Sequence, residues 1–299
     1  MTQQSRGTLA LILLTFLYGA YGVYNRFIGE AFQTFSAQWV RSALVIGLVL
    51  IITVALKLKY ARVRNADFWW IAQWLFFGSW IMIFLFLAFN HLQLATTYFL
   101  FYATMILSGV VCGKFFFQEK MNLTKNISVV LSLIGVASIY SFSISRADLM
   151  YAVLALLAGV LLGFWNTISK KFSSHYPELQ MVLWDAIAGA LVGVIGFLIV
   201  KESLPTLQLS TSWIWLVVYS VSQVATVGLV IYGFKHLEAQ VASLIMPIEI
   251  IFASLFGYLI FGETLTVSTI FGGCCIALAA FLPYMRPLLG KVRLQRLKV

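Results

Sequence analysis

The stretch GVVCGKFFFQEKMNLT, Gly109 to Thr124, is met again as ASLFGYLIFGETLTVS, Ala253 to Ser268, 144 positions later and without a gap. Gly109 and Gly113 fall on Ala253 and Gly257, Glu119 on Glu263, Met121 and Asn122 on Leu265 and Thr266, and Thr124 on Ser268. Each copy sets two small residues four apart in an apolar run, ends the run on a glutamate, and opens another run after a polar turn. Small residues at that spacing let two membrane helices approach closely. The entrances repeat as well. Asn90-His91-Leu92 resembles Lys235-His236-Leu237, one residue out of register, and Gly22-Val23-Tyr24-Asn25 echoes Gly163-Phe164-Trp165-Asn166. A register kept across a whole helix hairpin predicts an internal duplication.

Outward from this motif, the composition sets the solvent. The chain has 299 residues, 62% hydrophobic and 10% charged, with a mean hydropathy of +0.95. A soluble surface needs roughly a quarter of residues charged, so the chain reads as an all-α polytopic membrane protein without a sizeable extramembrane domain. A bilayer core about 30 Å thick takes about 20 apolar residues per helix. That ruler gives ten transmembrane helices, at about 8–27, 35–56, 69–89, 94–117, 124–142, 149–169, 178–200, 211–234, 239–261 and 268–285. The first follows a single Arg6 without a convincing cleavage site and is expected to be retained. Continuous rather than alternating apolar runs argue against strands.

Basic residues divide between the two sets of loops. One set, with the C-terminal tail, carries sixteen Lys and Arg, from Arg6 through Lys57, Lys120 and Lys170 to Lys298; the other carries Arg26, Arg146 and Lys201. Arg41 stands inside a span. Lys and Arg accumulate on the cytoplasmic side, so both termini are expected in the cytoplasm, in a bacterial inner membrane. The net charge of +10 follows from topology, and no nucleic-acid partner is expected. Ten spans split into two halves of five, residues 1–143 and 144–299. Five is odd, so the second half sits inverted relative to the first. Inverted repeats with a site near the midplane characterise secondary transporters.

The ten spans, the two five-helix halves and the glutamate-ended tail of each half resemble the EamA-type branch of the drug/metabolite transporter superfamily. Arg41 on the second span and Ala239, Ala242 and Pro247 at the head of the ninth add to the resemblance, which covers essentially the whole chain. Two positions depart from it. Ala103 stands where the fourth span often has a proline matching Pro247, and Asp185 lies 144 positions after Arg41. The resemblance implies carriage of small organic solutes, often efflux of amino acids or other metabolites, and leaves the substrate open.

Polar groups inside a span are costly and mark functional sites. Glu249 is the foremost, two residues beyond Pro247, which removes a backbone hydrogen bond and frees a carbonyl. It could bind a cationic group or carry a coupling proton. Arg41 and Asp185 sit at repeat-related depths; counted from opposite faces they are expected on the order of 10 Å apart along the normal, sharing a wet cavity rather than a direct salt bridge. Tyr219, Ser222, Gln223 and Thr226 form one polar stripe on the eighth span. Aromatic and amide groups inside spans complete the expected cavity: Tyr21, Tyr24 and Asn25 on the first, Trp80 on the third, Tyr98 and Tyr102 on the fourth, Trp165 and Asn166 on the sixth. Aromatic walls favour flat apolar or cationic solutes. Spans one, three, four, six, eight and nine should supply the walls. Glu119 and Glu263 sit at helix ends, where repetition accounts for them without chemistry.

Cys112, Cys274 and Cys275 lie in apolar runs without metal spacing, and no enzyme motif is present, so neither metal, cofactor nor catalytic residue is expected. The function expected is export or exchange of a small organic metabolite by alternating access, with amino acids, especially aromatic ones, the best fit. Efflux of cationic amphiphiles is the alternative; a channel-like facilitator or a membrane enzyme fits less well. Solute and lipid are the expected partners, protons a coupling ion to be tested, and the chain a monomer or homodimer.

Overall fold

In the computed structural model the described residues are 3–92, 94–139, 148–203, 210–262 and 264–296. Glu263, the repeat counterpart of Glu119, and Arg146 lie outside them. Among the described residues there is no strand. The helices are α1 (Gln3–Gly19), α2 (Tyr21–Ile28), α3 (Thr34–Ala55), α4 (Phe68–His91), α5 (Leu94–Phe117), α6 (Leu123–Ile139), α7 (Leu149–Phe172), α8 (Glu178–Val200), α9 (Thr211–His236), α10 (Ala239–Ile245), α11 (Ile248–Phe261) and α12 (Val267–Arg296).

Among the described residues eight stretches are long and apolar enough to cross a membrane: Gln3–Ile28, Thr34–Ala55, Asn65–Leu85, Leu100–Phe117, Leu149–Phe172, Glu178–Val200, Thr211–His236 and Ala239–Phe261. Two shorter apolar helical segments, Leu123–Ser138 and Val267–Pro283, occupy the places of the expected fifth and tenth spans. Residues such as Val54, Ile199 and Val267 are more than 70% exposed on the outside of the bundle. An apolar exterior of this kind belongs in lipid, where helices satisfy their own backbone groups, and the chain is an integral membrane protein.

Two of the long stretches are broken rather than continuous. Pro247 ends α10 at Ile245 and restarts the chain as α11 at Ile248. Ala20 separates α1 from α2 with no proline to announce it. The two interrupted helices pack together, α1 against α11. A Cβ on Gly19 would lie 2.9 Å from the backbone nitrogen of Ala253 and 2.7 Å from Cβ of Phe252, so only glycine permits this approach at the break. Elsewhere α7 packs on α4 and α5, α9 on α1, α2 and α3, α3 on α8, and α6 on α12. Gly159 and Gly163 bring α7 onto the carbonyls of Phe101 and Met105. The rings of Trp74 and Trp165 stack at 5.3 Å between α4 and α7.

The loop side rich in Lys and Arg, here the basic side, is tied by charge. Lys170 pairs with Glu119 at 3.0 Å and Lys235 with Glu178 at 3.0 Å. Lys125 pairs with Glu238. Asp67 accepts from the Tyr176 hydroxyl at 2.9 Å and lies 2.9 Å from Nδ1 of His175. Gln180 bonds both backbone groups of Ala61 at 2.8 Å. On the opposite side Glu202 caps α3 through the backbone nitrogens of Phe35 and Ser36, at 3.0 and 2.7 Å, and the guanidinium of Arg26 lies 4.3 Å from the centre of the Phe261 ring.

Candidate functional site

A cavity of about 140 Å³ lies at the centre of the bundle. That is close to the size of a cavity, about 150 Å³, known to take a benzene ring. Among the described residues nine helices line it, α1 to α5, α7 to α9 and α11, and both interrupted spans, α1–α2 and α10–α11, contribute residues close to their breaks. Ten of the residues expected from the sequence line it: Tyr21, Asn25, Arg41, Tyr98, Trp165, Asp185, Tyr219, Gln223, Thr226 and Glu249.

Arg41 is 5% exposed. Its guanidinium donates to Oε1 of Gln38, one turn earlier on α3, and lies 4.5 Å from the centre of the Tyr219 ring. Stacking on an aromatic face holds a guanidinium flat while leaving its edge free. Asp185 on α8 faces Gly78 of α4 together with Trp165: a Cβ at Gly78 would fall 2.9 Å from Oδ1 of Asp185 and 2.4 Å from Nε1 of Trp165. The glycine therefore makes room for the acid and the indole at one wall. Arg41 and Asp185 share the cavity without an ion pair, and among the described residues no basic side chain pairs with Glu249. The Tyr102 hydroxyl stands beside the Glu249 carboxyl.

Near the break in the first span a ring cluster closes the wall. Tyr18 and Tyr21 have centroids 4.9 Å apart, and Tyr21 and Tyr219 4.3 Å. The hydroxyls of Tyr21 and Thr226 hydrogen-bond at 2.5 Å. Nε of Arg41, Oγ of Ser42 and Oε1 of Gln223 are buried in this cavity wall without a partner in the protein, although buried polar atoms are nearly always bonded.

Six expected residues do not line the cavity. Trp80 packs instead against Phe76 and Phe84, its ring tilted to both. On α4 the cavity face runs through Gly78, Ser79, Ile81, Met82 and Leu85, and position 80 lies about 200° round from Gly78 at about 100° per residue. Tyr24 packs behind the wall against Trp215 and Tyr219, at 5.6 and 5.5 Å. Tyr102 is 1% exposed and lies behind the wall, its ring stacked on that of Tyr98 with centroids 6.2 Å apart and its hydroxyl beside Glu249. Asn166 is 1% exposed, with both amide atoms unpartnered in the protein, and Ser222 lies at the edge of the α9 stripe with its hydroxyl likewise unpartnered. Pro247 acts by breaking the helix and setting the angle at which Glu249 enters.

The expected walls omitted the second and seventh spans, α3 and α8, although Arg41 and Asp185 sit on them. Both contribute further: Gln38 and Ser42 from α3, Gly189 from α8. Helical spacing from the two charges would have found Gln38 and Gly189, at i−3 and i+4. Tyr18 and the small residues Gly78 and Ser79 carried no signal of their own. A smaller pocket of about 30 Å³ shares Asn25, Gln38, Arg41 and Met82 with the cavity and reaches Gly29, Phe32 and Thr34, where α2 joins α3 on the side poor in basic residues. Arg41 thus stands between the cavity and that side.

Comparison with known proteins agrees with this architecture. Residues 149–285 match the EamA-like transporter family. The chain is 25% identical over 191 residues to the uncharacterized transporter YoaV of Bacillus subtilis, an alignment covering 60% of this chain and 63% of that protein. It is 24% identical over 160 residues to an uncharacterized transporter of Archaeoglobus fulgidus, covering 53% and 56%. Both alignments span less than two thirds of the relative. An uncharacterized transporter of Helicobacter pylori matches at 22% identity over 86% of this chain and 87% of its own. In fold, a protein of known crystal structure superposes with a TM-score of 0.77 at 14% identity, over 92% of this chain and 97% of that one. By these matches residues 149–285 are similar to the EamA-like transporter family, and the chain is similar to bacterial and archaeal proteins named as transporters.

Proposed function

We propose that the protein is a secondary transporter that exports or exchanges a small organic solute by alternating access through the central cavity. The observation that carries this is the set of groups converging there: a stacked arginine, two carboxyl groups without a cation partner, and aromatic walls, all between helices broken at the site. A ring-bearing zwitterion matches that set, its carboxylate toward Arg41, its ammonium toward Glu249 or Asp185, its ring against Tyr98, Phe101 and Trp165. Aromatic amino acids are therefore the favoured substrates. Amphiphilic cations are the second reading, favoured by the two acids against one base in the cavity.

The helix pairing supports the reading of two inverted five-helix repeats, residues 1–143 and 144–299. Under the repeat, α4 on α7 becomes α9 on α1 and α2, α5 on α7 becomes α10 and α11 on α1, and α3 on α8 maps to itself; all these contacts are present. The reading makes α6 and α12 the fifth and tenth spans, and the distribution of Lys and Arg supports an orientation with both termini in the cytoplasm, in a bacterial inner membrane on this reading. Glu249 and Asp185 are the candidate carriers of a coupling proton.

The test is ligand-induced thermal stabilisation of the purified protein. A solute that binds the folded state alone stabilises it by RT ln(1 + [L]/Kd), about 2.7 kcal/mol at a hundred times Kd. Tryptophan, tyrosine and phenylalanine are expected to raise the melting temperature, and Glu249→Ala or Tyr98→Ala to abolish the rise. Stabilisation by quaternary amphiphiles with none by amino acids would select the second reading.

A further inference from the structure

The repeated glutamate has work that the cavity does not account for. Glu119, just past the end of α5 on the basic side, has a side chain only 6% exposed. Its Oε1 accepts from Nζ of Lys170 on α7 at 3.0 Å and from the backbone nitrogen of Ala239 at 2.7 Å. Its Oε2 accepts from the backbone nitrogen of Gln240 at 3.0 Å, and its carbonyl accepts from Nε2 of Gln240 at 3.3 Å. One carboxylate from the first half of the chain thus caps the first turn of α10 in the second half and neutralises a lysine of α7.

Below this cap α10 lies directly on α5. A Cβ on Gly109 would fall 2.0 Å from Oγ of Ser243, and one on Gly113 2.8 Å from Cγ of Gln240. Past the break at Met246 and Pro247 the chain parts from α5, and α11 packs on α1 and α12. The seam is therefore closed on the basic side and splayed beyond the break, and the cavity occupies the splayed part with Tyr98 and Phe101 on one wall and Glu249 on the other. Lys125 adds a tie across the same junction, to Glu238, to Oε1 of Gln240 at 2.7 Å and to the carbonyl of Lys120 at 3.0 Å. Toward the opposite side the cavity adjoins the smaller pocket at Gly29 and Phe32.

We propose that the α5–α10 seam is the cytoplasmic gate, that Glu119 is the latch holding it shut, and that this structure is the outward-facing state. The inference rests on the carrier reading and on the orientation given above. To open, Glu119 must release two backbone N–H groups and Lys170 together. Charge-assisted hydrogen bonds are the strong ones and are strengthened in a low dielectric, so the carboxylate biases the equilibrium toward the closed gate. Glu249 stands in the first turn of α11, two residues beyond Pro247, so a solute bound to it loads the same α10–α11 element that Glu119 holds at its other end. Glu119 is a positioning residue and touches no solute.

Cys112, 1% exposed on α5 between Gly109 and Gly113, is a built-in reporter of the seam. In a Cys274→Ser, Cys275→Ser background, its reaction with a membrane-impermeant maleimide is followed in inside-out and right-side-out vesicles without any solute. Glu119→Gln and Lys170→Met are each expected to speed modification from the cytoplasmic side about tenfold, equivalent to about 1.4 kcal/mol in the gate equilibrium, with the rate from the other side unchanged. Parent rates in both variants, or an equal rise from both sides, would overturn the latch. Should Glu119→Gln fail to accumulate as folded protein, Lys170→Met, which keeps the Glu119 carboxylate and removes its ion pair together with the bond from Nζ to the Leu237 carbonyl at 2.8 Å, decides alone. Because no substrate is needed, a wrong substrate assignment leaves this result standing, and failure of the latch leaves the carrier reading standing.

Discussion

Replacing Glu249 by glutamine is expected to move stability and solute affinity in opposite directions. The residue is 9% exposed, faces the cavity and has no basic partner among the described residues. An ionised carboxylate held in that position carries a desolvation cost that no ion pair offsets, and the amide removes it while still able to bond Tyr102. The solute-free variant should therefore melt a few degrees higher, at roughly 2–4 °C per kcal/mol for a chain of about this size. A solute ammonium gives Glu249 the missing partner, and a hydrogen bond to a charged group is worth about 1.5–3 kcal/mol. At about 1.4 kcal/mol per tenfold, its loss should weaken binding by roughly 10- to 150-fold. Differential scanning fluorimetry and isothermal titration on the same preparations read both quantities. A lower melting temperature with unchanged affinity would refute the reasoning and make Glu249 a structural residue bonded to its neighbours.

Arg41→Lys keeps the charge but loses the stacked fork over Tyr219; affinity for a carboxylate-bearing solute should fall about tenfold, while the corresponding amine without a carboxylate binds as before in the same titration. Trp165→Ala should weaken binding of ring-bearing solutes by at least about fivefold, from the roughly 1 kcal/mol and more that an aromatic contact contributes beyond area, whereas Trp80→Ala, on the other side of α4, should leave it unchanged; equal losses in both would contradict the cavity as described. Gly159→Ala places a methyl 2.1 Å from the carbonyl oxygen of Phe101 and 2.1 Å from Oγ1 of Thr104, an overpacking worth about 1–3 kcal/mol that should show as a clear drop in melting temperature, with no drop meaning that α5 and α7 are not in backbone contact there.

The parts of this architecture that depend on local chemistry were legible in the sequence, and the parts that depend on distant partners were not. Pro247 announced the break ahead of Glu249, because a missing N–H interrupts a helix wherever it occurs. The break at Ala20 had no such marker; it lies beside the contact of Gly19 with Phe252 and Ala253, more than two hundred residues away. Arg41, Asp185 and Glu249 stood out because charge inside a span is expensive. Trp80 stood out for the wrong reason: its size outweighed its register, and the small residues Gly78 and Ser79, which open the wall, draw no attention in a list of aromatics. Glu119 was read as a helix-end residue because its partners, Lys170, Ala239 and Gln240, lie 51 to 121 positions away.

Counterflow in proteoliposomes tests the central claim most directly. Vesicles preloaded with unlabelled tryptophan, tyrosine or phenylalanine and given trace label outside should accumulate that label transiently above equilibrium, saturably, and lose the effect in Glu249→Ala. Label that enters only to equilibrium, at a rate indifferent to the preloaded pool, would describe a passive pore and contradict alternating access through this cavity.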